Sequence, residues 1–338
     1  MLRSDHGIHA VLVDQGAISF RPCSMPLMTF MEDQGCIRDS SVLGCQYNYL
    51  SWDEAFHLLG CALDYSSLTG EILMGSLITG DQQNRSPLWF SLPQIESRMK
   101  RRRIINIIVN KCFESHMQPI VNILEETIGY EFLLRPSLSK DHFRPSDLFD
   151  VARETGLQSQ LDQAARLTAI ETSARHLPRG IKRFINFLPS SIENPNQCLN
   201  QTFAAMEKMS LDPRDFVFEV VETERITHMS HLKSIFKVCR NMGISMALDD
   251  VGSGYSTLEE MNALRPDYIK IDRSLVNGCS RNLFKQEQIK LIIQQAYAFG
   301  GKVLAEGVEQ REDFEFCLNS GVVLAQGYLF GRPCRPAE

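Results

Sequence analysis

Eight short apolar runs alternate with helical stretches over the last 220 or so residues of this 338-residue chain, and this limits the fold more than any other feature. The runs are His116–Val121, Gly129–Leu134, Arg183–Leu188, Phe216–Val221, Ile244–Leu248, Tyr268–Ile271, Lys302–Ala305 and Ala325–Phe330. Short apolar strands separated by helices build a largely parallel sheet covered on both faces. Eight of them in this length match a (β/α)8 barrel. Only Asn122 to Ile128 separates the first two runs, too short a stretch for a helical crossover, so the first strand is expected to run antiparallel. Helices are expected at Leu157–Leu177, Pro195–Met209, Ile226–Met242, Ser256–Leu264 and Asn282–Phe299. Asn241-Met242-Gly243 reads as a glycine-terminated helix end, and His228 and His231 as a solvated helix face.

The strand ends carry the chemistry. The fifth run leads through Ala247-Leu248 into Asp249-Asp250 and then Val251-Gly252-Ser253-Gly254-Tyr255. Two adjacent carboxylates at the end of a buried strand repel and are costly to desolvate, a penalty that a divalent cation removes. The other runs end similarly: Glu131, Asn186, Glu219 with Glu222, Lys270 with Asp272, Glu306 with Glu309, and Gln326. Active sites of such barrels lie at the C-terminal ends of the strands. Ionisable or amide groups at seven of eight ends point to one site rather than to seven solvated turns. Without cations, so many carboxylates would hold one another protonated. Oxygen donors without His or Cys point to Mg²⁺ or Mn²⁺, and the surplus of ligands to two ions, the usual arrangement for in-line attack of water on a phosphodiester. Lys270 fits beside them, neutralising phosphate charge or orienting the water.

Residues 1–92 read as a separate α+β region of unknown role, residues 93–111 as one connecting helix, and residues 112–338 as the barrel. In the first region, Ala10–Val13 and Ala17–Phe20 suggest a hairpin. Ser51-Trp52-Asp53-Glu54 is a capping box opening a helix to about Leu63, and Glu71–Thr79 suggests a strand. Cys23, Cys36, Cys45 and Cys61 with His57 match no zinc spacing, so core packing is expected. The ten cysteines form no CxxC pair, and reduced, mostly buried thiols are expected. There is no apolar run long enough to span a membrane and no signal core at Met1–Ala10, which points to the cytoplasm. A net charge of −6 argues against binding DNA or RNA polymers, and Lys100-Arg101-Arg102-Arg103 reads as a solvated helix face.

The ordered set Glu131-Phe132-Leu133-Leu134-Arg135, Phe184-Ile185-Asn186-Phe187, Glu219-Val220-Val221-Glu222, Asp249 to Tyr255, Lys270-Ile271-Asp272, Ala305-Glu306-Gly307-Val308-Glu309 and Gln326-Gly327-Tyr328 strongly resembles the EAL-domain cyclic di-GMP phosphodiesterases of bacteria. The match runs from about Met117 to Pro333. The resemblance implies a TIM-like barrel with an antiparallel first strand, hydrolysis of cyclic di-GMP to pGpG, and two divalent cations, Mg²⁺ or Mn²⁺. It also implies a homodimer formed through the barrel. Carried over onto this chain, Glu131, Asn186, Glu219 and Asp249 hold one cation, and Asp249, Asp250 and Glu306 the second. Lys270 contacts the attacking water, Glu306 is also a candidate general base, and Asp272 supports Lys270 or the water network. Gln118, Leu133, Arg135, Glu309 and Gln326 fall on the substrate side, and Glu222 anchors the loop Val251–Ser256. Two departures, Val251 for phenylalanine and Ser253 for threonine, are mild. The signature triplet reads Glu131-Phe132-Leu133 instead of Glu-Ala-Leu, and Phe132 alternates away from Glu131 along the strand. The alternative reading is a catalytically inactive cyclic di-GMP receptor that signals through the N-terminal region, where a ligand or protein partner is left open. A third keeps the barrel and gives it another phosphoester.

Overall fold

The computed structural model describes residues 15–42, 44–78, 87–137, 143–192, 194–220, 229–252 and 258–336. The chain divides into two compact units, Met1–Phe113 with Pro136–Leu161, and Glu114–Arg135 with Asp162–Glu338.

The first unit is a four-stranded antiparallel sheet with helices. Its elements are β1 (Gly16–Arg21), α1 (Met25–Asp33), β2 (Cys45–Tyr49), α2 (Trp52–Thr69), β3 (Met74–Ile78), β4 (Phe90–Ser91), α3 (Leu92–Lys100), α4 (Arg102–Val109) and α5 (Pro145–Thr155), in the sheet order β2-β1-β3-β4. Ile18, Phe20, Tyr47 and Tyr49 from the sheet pack with Leu27, Met31, Leu58 and Leu59 from α1 and α2 in one core. Ser51 caps α2 by accepting from the Glu54 N–H at 3.2 Å. The helix continues past the expected end near Leu63 to Gly70, whose φ of +72° closes it. Its last turns expose Leu68 but bury Tyr65, which the sequence pattern understated. Ala10–Val13 of the expected hairpin lies outside the described residues, and β1 pairs with β2 and β3.

The stretch read as one helix over residues 93–111 is two helices, interrupted at Arg101 (φ −107°, ψ 20°). Leu92, Ile95 and Met99 lie about half a turn around a straight helix from Ile105 and Ile108, so one rod would leave one set in water. Breaking it buries both sets. Arg98 is buried on α3, donating to the Thr155 carbonyl at 2.8 Å and stacking over Phe90.

Disulfide bonding differs from the expectation for Cys23 and Cys45, which are joined, because the β1–β2 register sets Phe20 opposite Cys45 and brings the two Cα atoms to 5.4 Å. The other eight cysteines are free, and Cys36, Cys61, Cys239, Cys279 and Cys317 among them are buried, as expected.

The second unit is a closed barrel of β5 (Phe113–Asn122), β6 (Thr127–Pro136), β7 (Lys182–Phe187), β8 (Phe216–Val220), β9 (Ser245–Val251), β10 (Tyr268–Ile271), β11 (Lys302–Ala305) and β12 (Leu324–Gln326). All eight expected strands are present. β5 runs antiparallel to β12, with Leu324 opposite Asn122. The tight β5–β6 turn follows from Asn122, whose side chain accepts from the Leu124 and Glu126 N–H groups at 2.9 and 3.0 Å. Helices α6 (Gln158–His176), α7 (Pro195–Cys198), α8 (Asn200–Lys208), α9 (Met229–Asn241), α10 (Leu258–Leu264), α11 (Arg273–Val276), α12 (Leu283–Ala298) and α13 (Arg311–Ser320) accompany it. Pro195–Met209 is thus two helices. Gly243, at φ +88°, ends α9 as expected. His231 bonds the Ile192 carbonyl at 2.6 Å, while His228 lies outside the described residues. Among the described residues, no helix is long and apolar enough to cross a membrane.

Two strands end elsewhere than expected. β9 continues through both aspartates to Val251, its register against β10 shifting between Ile269 and Ile271. Asp250, at φ +53°, takes up the extra residue. β12 stops at Gln326 instead of Phe330, because Gly327 lies against the Val308 backbone, where a Cβ would come within 2.0 Å of the carbonyl oxygen.

The barrel interior explains the placement of the polar residues. Ile120, Phe184, Val217, Ala247, Tyr268, Leu304 and Leu324 form one buried apolar cluster. Side chains two apart along a strand share a face. Stepping two residues toward the C-terminal end therefore gives Asn186, Glu219, Asp249, Lys270, Glu306 and Gln326. Stepping back two along antiparallel β5 gives Gln118.

Candidate active site

Lys270 is the centre of the polar layer and is 1 % exposed. Its Nζ lies 2.6 Å from Glu306 Oε1, 2.8 Å from Glu219 Oε1, 3.0 Å from Asp249 Oδ1 and 3.6 Å from Glu131 Oε1. Glu131 also accepts from Asn186 Nδ2 at 3.1 Å and Gln326 Nε2 at 2.6 Å. Gln326 Nε2 donates as well to Gln118 Oε1 at 3.1 Å, and Gln118 Nε2 to the Gly331 carbonyl at 3.1 Å. All eight strands thus place one expected side chain each in one connected network. Asp250 adjoins it, with oxygens of Asp249, Asp250 and Glu306 within 4.8 Å of one another.

One ammonium does not balance this much negative charge. Burial, and then repulsion from Glu131 and Asp249, raises the Glu219 carboxyl well above the usual range despite Lys270. Glu306 is raised well above it, and Asp249 is raised too, for the same two reasons. Asp250 is pushed up to about 7 by burial, Asp249 and Asp272. Burial also opposes charge on Glu131, but Lys270, Gln326 and Asn186 together hold its carboxyl below the ordinary value. Burial disfavours the Lys270 charge, and the surrounding carboxylates more than reverse this, raising it well above a normal lysine.

The donor set fits hard divalent cations. It consists of carboxylate and amide oxygens, and Asn186 Oδ1 and Glu219 Oε2 are buried without a hydrogen-bond partner among the described residues. A cation would satisfy both oxygens and remove the repulsion.

The remaining predicted residues are placed less centrally. Asp272 is not an ion-pair partner of Lys270; it caps α11, accepting from the Ser274 N–H at 2.9 Å, and its charge acts on Asp250. Arg135 donates to the neighbouring Leu134 carbonyl at 2.8 Å, and it and Leu133 are half-buried. Glu309 accepts from Arg273 Nη2 at 2.7 Å. Arg273 was not singled out from sequence; it packs over Gly307, where a Cβ would meet its side chain at 2.3 Å. The signal was its place directly after Asp272 at a strand end. Glu222 and the loop residues Ser253, Gly254, Tyr255 and Ser256 lie outside the described residues.

Asp162 was also missed. It is buried on α6 and accepts from the Leu188 N–H at 2.9 Å, two residues past Asn186, while Arg166 and Ser191 donate to its other oxygen at 2.6 and 2.7 Å. It holds the end of β7. A single aspartate in a helical stretch carries no such signal.

Residues 101–333, more than half of the chain, match the EAL domain. A curated relative, the probable cyclic di-GMP phosphodiesterase PdeG of Escherichia coli K12, is 31 % identical over 242 residues, 69 % of this chain and 46 % of that protein. The chain therefore spans less than half the length of that relative. A standalone versatile EAL protein from Vibrio cholerae O395, solved in its c-di-GMP-bound form, is 31 % identical with a TM-score of 0.59, over 65 % of this chain and 92 % of that one. Klebsiella pneumoniae BlrP1, solved as a manganese and cyclic di-GMP complex, is 28 % identical with a TM-score of 0.60, over 66 % of this chain and 56 % of that one. With its closed barrel, its antiparallel first strand and its carboxylate layer, this chain belongs to the EAL-domain family.

Proposed function

We propose that the protein hydrolyses one phosphodiester bond of cyclic di-GMP to give linear pGpG, using two divalent cations, Mg²⁺ or Mn²⁺. The supporting observation is the oxygen-only layer around buried Lys270, in which carboxylates outnumber the one ammonium. The relatives solved with c-di-GMP, one of them with manganese, support the same substrate and cofactor class.

Glu131, Asn186, Glu219 and Asp249 would hold one cation, and Asp249, Asp250 and Glu306 the other, with Asp249 shared. When bound, such a pair supplies a nucleophile at neutral pH and neutralises charge on the phosphoryl oxygens. Lys270, clamped by Glu219, Asp249 and Glu306, is pre-oriented to donate to the attacking water and to add positive charge where negative charge builds. Glu306 would accept the proton that the water loses. The water oxygen bonds to phosphorus, the bond to the 3′ oxygen breaks, and that oxygen takes a proton to become the 3′ hydroxyl. Gln118 and Gln326, with Leu133, Arg135 and Glu309, form the substrate side, and Glu222 anchors the adjoining loop. A regulatory N-terminal unit and a homodimer formed through the barrel complete the proposal; sedimentation at working concentration tests the dimer.

The ion pairs of Lys270 with these same carboxylates also favour a second reading, a receptor that binds cyclic di-GMP without turnover. Purified protein incubated with cyclic di-GMP in Mg²⁺, Mn²⁺ or chelator, beside Glu131→Ala, separates the two. Metal-dependent pGpG formation absent from the variant is expected. Tight binding of intact dinucleotide with no product would overturn catalysis.

A further inference from the structure

The N-terminal unit brings together three side chains whose spacing did not relate them. His57 and Cys61 are four residues apart on α2 and lie one above the other on one face. Cys36 follows α1, where Gly35 at φ +80° and the bond from the Cys36 N–H to the Met31 carbonyl at 3.0 Å turn the chain back. Ligand atoms of the three lie within 4.8 Å of one another. Cys61 Sγ is 3.8 Å from His57 Nε2, and Nε2 is 3.2 Å from the Gln34 carbonyl oxygen. Both thiols are buried and His57 is exposed, so the imidazole side is open to solvent.

We propose that Cys36, His57 and Cys61 form a second metal site, for Zn²⁺, with the Gln34 carbonyl within reach of the fourth position. Tetrahedral zinc, with Zn–S near 2.3 Å and Zn–N near 2.0–2.1 Å, sets neighbouring ligand atoms roughly 3.3–3.8 Å apart. The 3.8 and 3.2 Å separations are close to that spacing. Two sulfurs and an imidazole select a softer ion than the oxygen-only barrel layer does. Each thiol gives its proton to solvent as its sulfur binds, so two protons leave per ion. This site is independent of the proposed hydrolysis.

The test uses the full chain, reduced and stripped with chelator, titrated with Co²⁺ and then with Zn²⁺. One equivalent of Co²⁺ is expected to give a thiolate-to-cobalt charge-transfer absorption, which oxygen ligands cannot produce. The band should be the same in Glu131→Ala and be displaced by Zn²⁺. Cys61→Ser should lose the band, and His57→Ala should weaken Zn²⁺ binding by at least about tenfold. His57 is exposed, so His57→Ala carries the test should Cys61→Ser fail to fold. No charge-transfer band in the reduced protein, or unchanged Zn²⁺ affinity in His57→Ala, would overturn the proposal.

Discussion

Two buried ionic clusters in the same barrel are built on opposite principles. Around Asp162 and Arg166, one carboxylate meets one guanidinium, and the spare valences go to Leu188, Ser191 and Thr202. Arg183 is similar in its charge balance, pairing with Asp215 and donating to the carbonyls of Leu177, Pro178 and Ile181, and leaves only its Nε without a partner among the described residues. Around Lys270, one ammonium faces Glu131, Glu219, Asp249 and Glu306, and Asn186 Oδ1 and Glu219 Oε2 have no hydrogen-bond partner among the described residues. A buried charge that is paired and fully hydrogen-bonded holds the fold in register, whereas a surplus of one sign is held in place by the rest of the structure. That imbalance distinguishes a site from a strut.

The comparison breaks first at Asp162. Asp162→Ala leaves Arg166 buried without its carboxylate and should cost about 3–5 kcal/mol in denaturant unfolding; a loss below about 1 kcal/mol would mean that the balanced cluster holds nothing. Lys270→Ala should lower pGpG formation about 10²–10³-fold while cyclic di-GMP still binds. Turnover within tenfold of the parent would remove Lys270 from the chemistry.

Asp313 extends the balanced class, accepting from the Gly278 and Ser280 N–H groups at 2.8 and 2.9 Å. Burial works against its charge, but these bonds lower its pKa below the ordinary value. The unfolded chain then binds more protons than the folded one as the pH drops, so the stabilisation is full above about pH 4 and is lost as pH falls through the native value. Asp313→Asn should cost about 1–3 kcal/mol near neutrality, with the gap from the parent closing in acid. A pH-independent gap would assign the effect to packing alone.

The smallest effect has the opposite sign. In chelator, Glu219→Gln replaces a carboxyl whose ionisation is opposed by burial and by Glu131 and Asp249 with a neutral amide, and should raise stability by about 1 kcal/mol, although the same change should weaken binding of the cation that Glu219 would hold. If it destabilises the chelated protein, the Lys270 cluster is a strut after all.

Much of the barrel was legible because strands and their carboxylate ends are local. Apolar runs marked all eight strands, and seven ends supplied ionisable or amide side chains. The errors were where a contact made elsewhere decides the outcome. β12 stops early because Val308 occupies the space beside Gly327, and β9 runs on because Asp250 adopts a positive φ against β10. The helix over residues 93–111 breaks because its two apolar sets face different neighbours. Asp162 was invisible because its partners lie 26 and 29 residues along the chain.

The sequence by itself determined the alternation of strands and helices, the antiparallel first strand and the oxygen donors at the strand ends, since each depends on residue type and spacing along a few neighbouring positions. Only the tertiary structure decided that Lys270 sits among four carboxylates, that Asp272 acts on Asp250, and that Cys36 meets Cys61 and His57. Those are matters of which strand ends and turns close on one another, and burial then gives the resulting charges their energies.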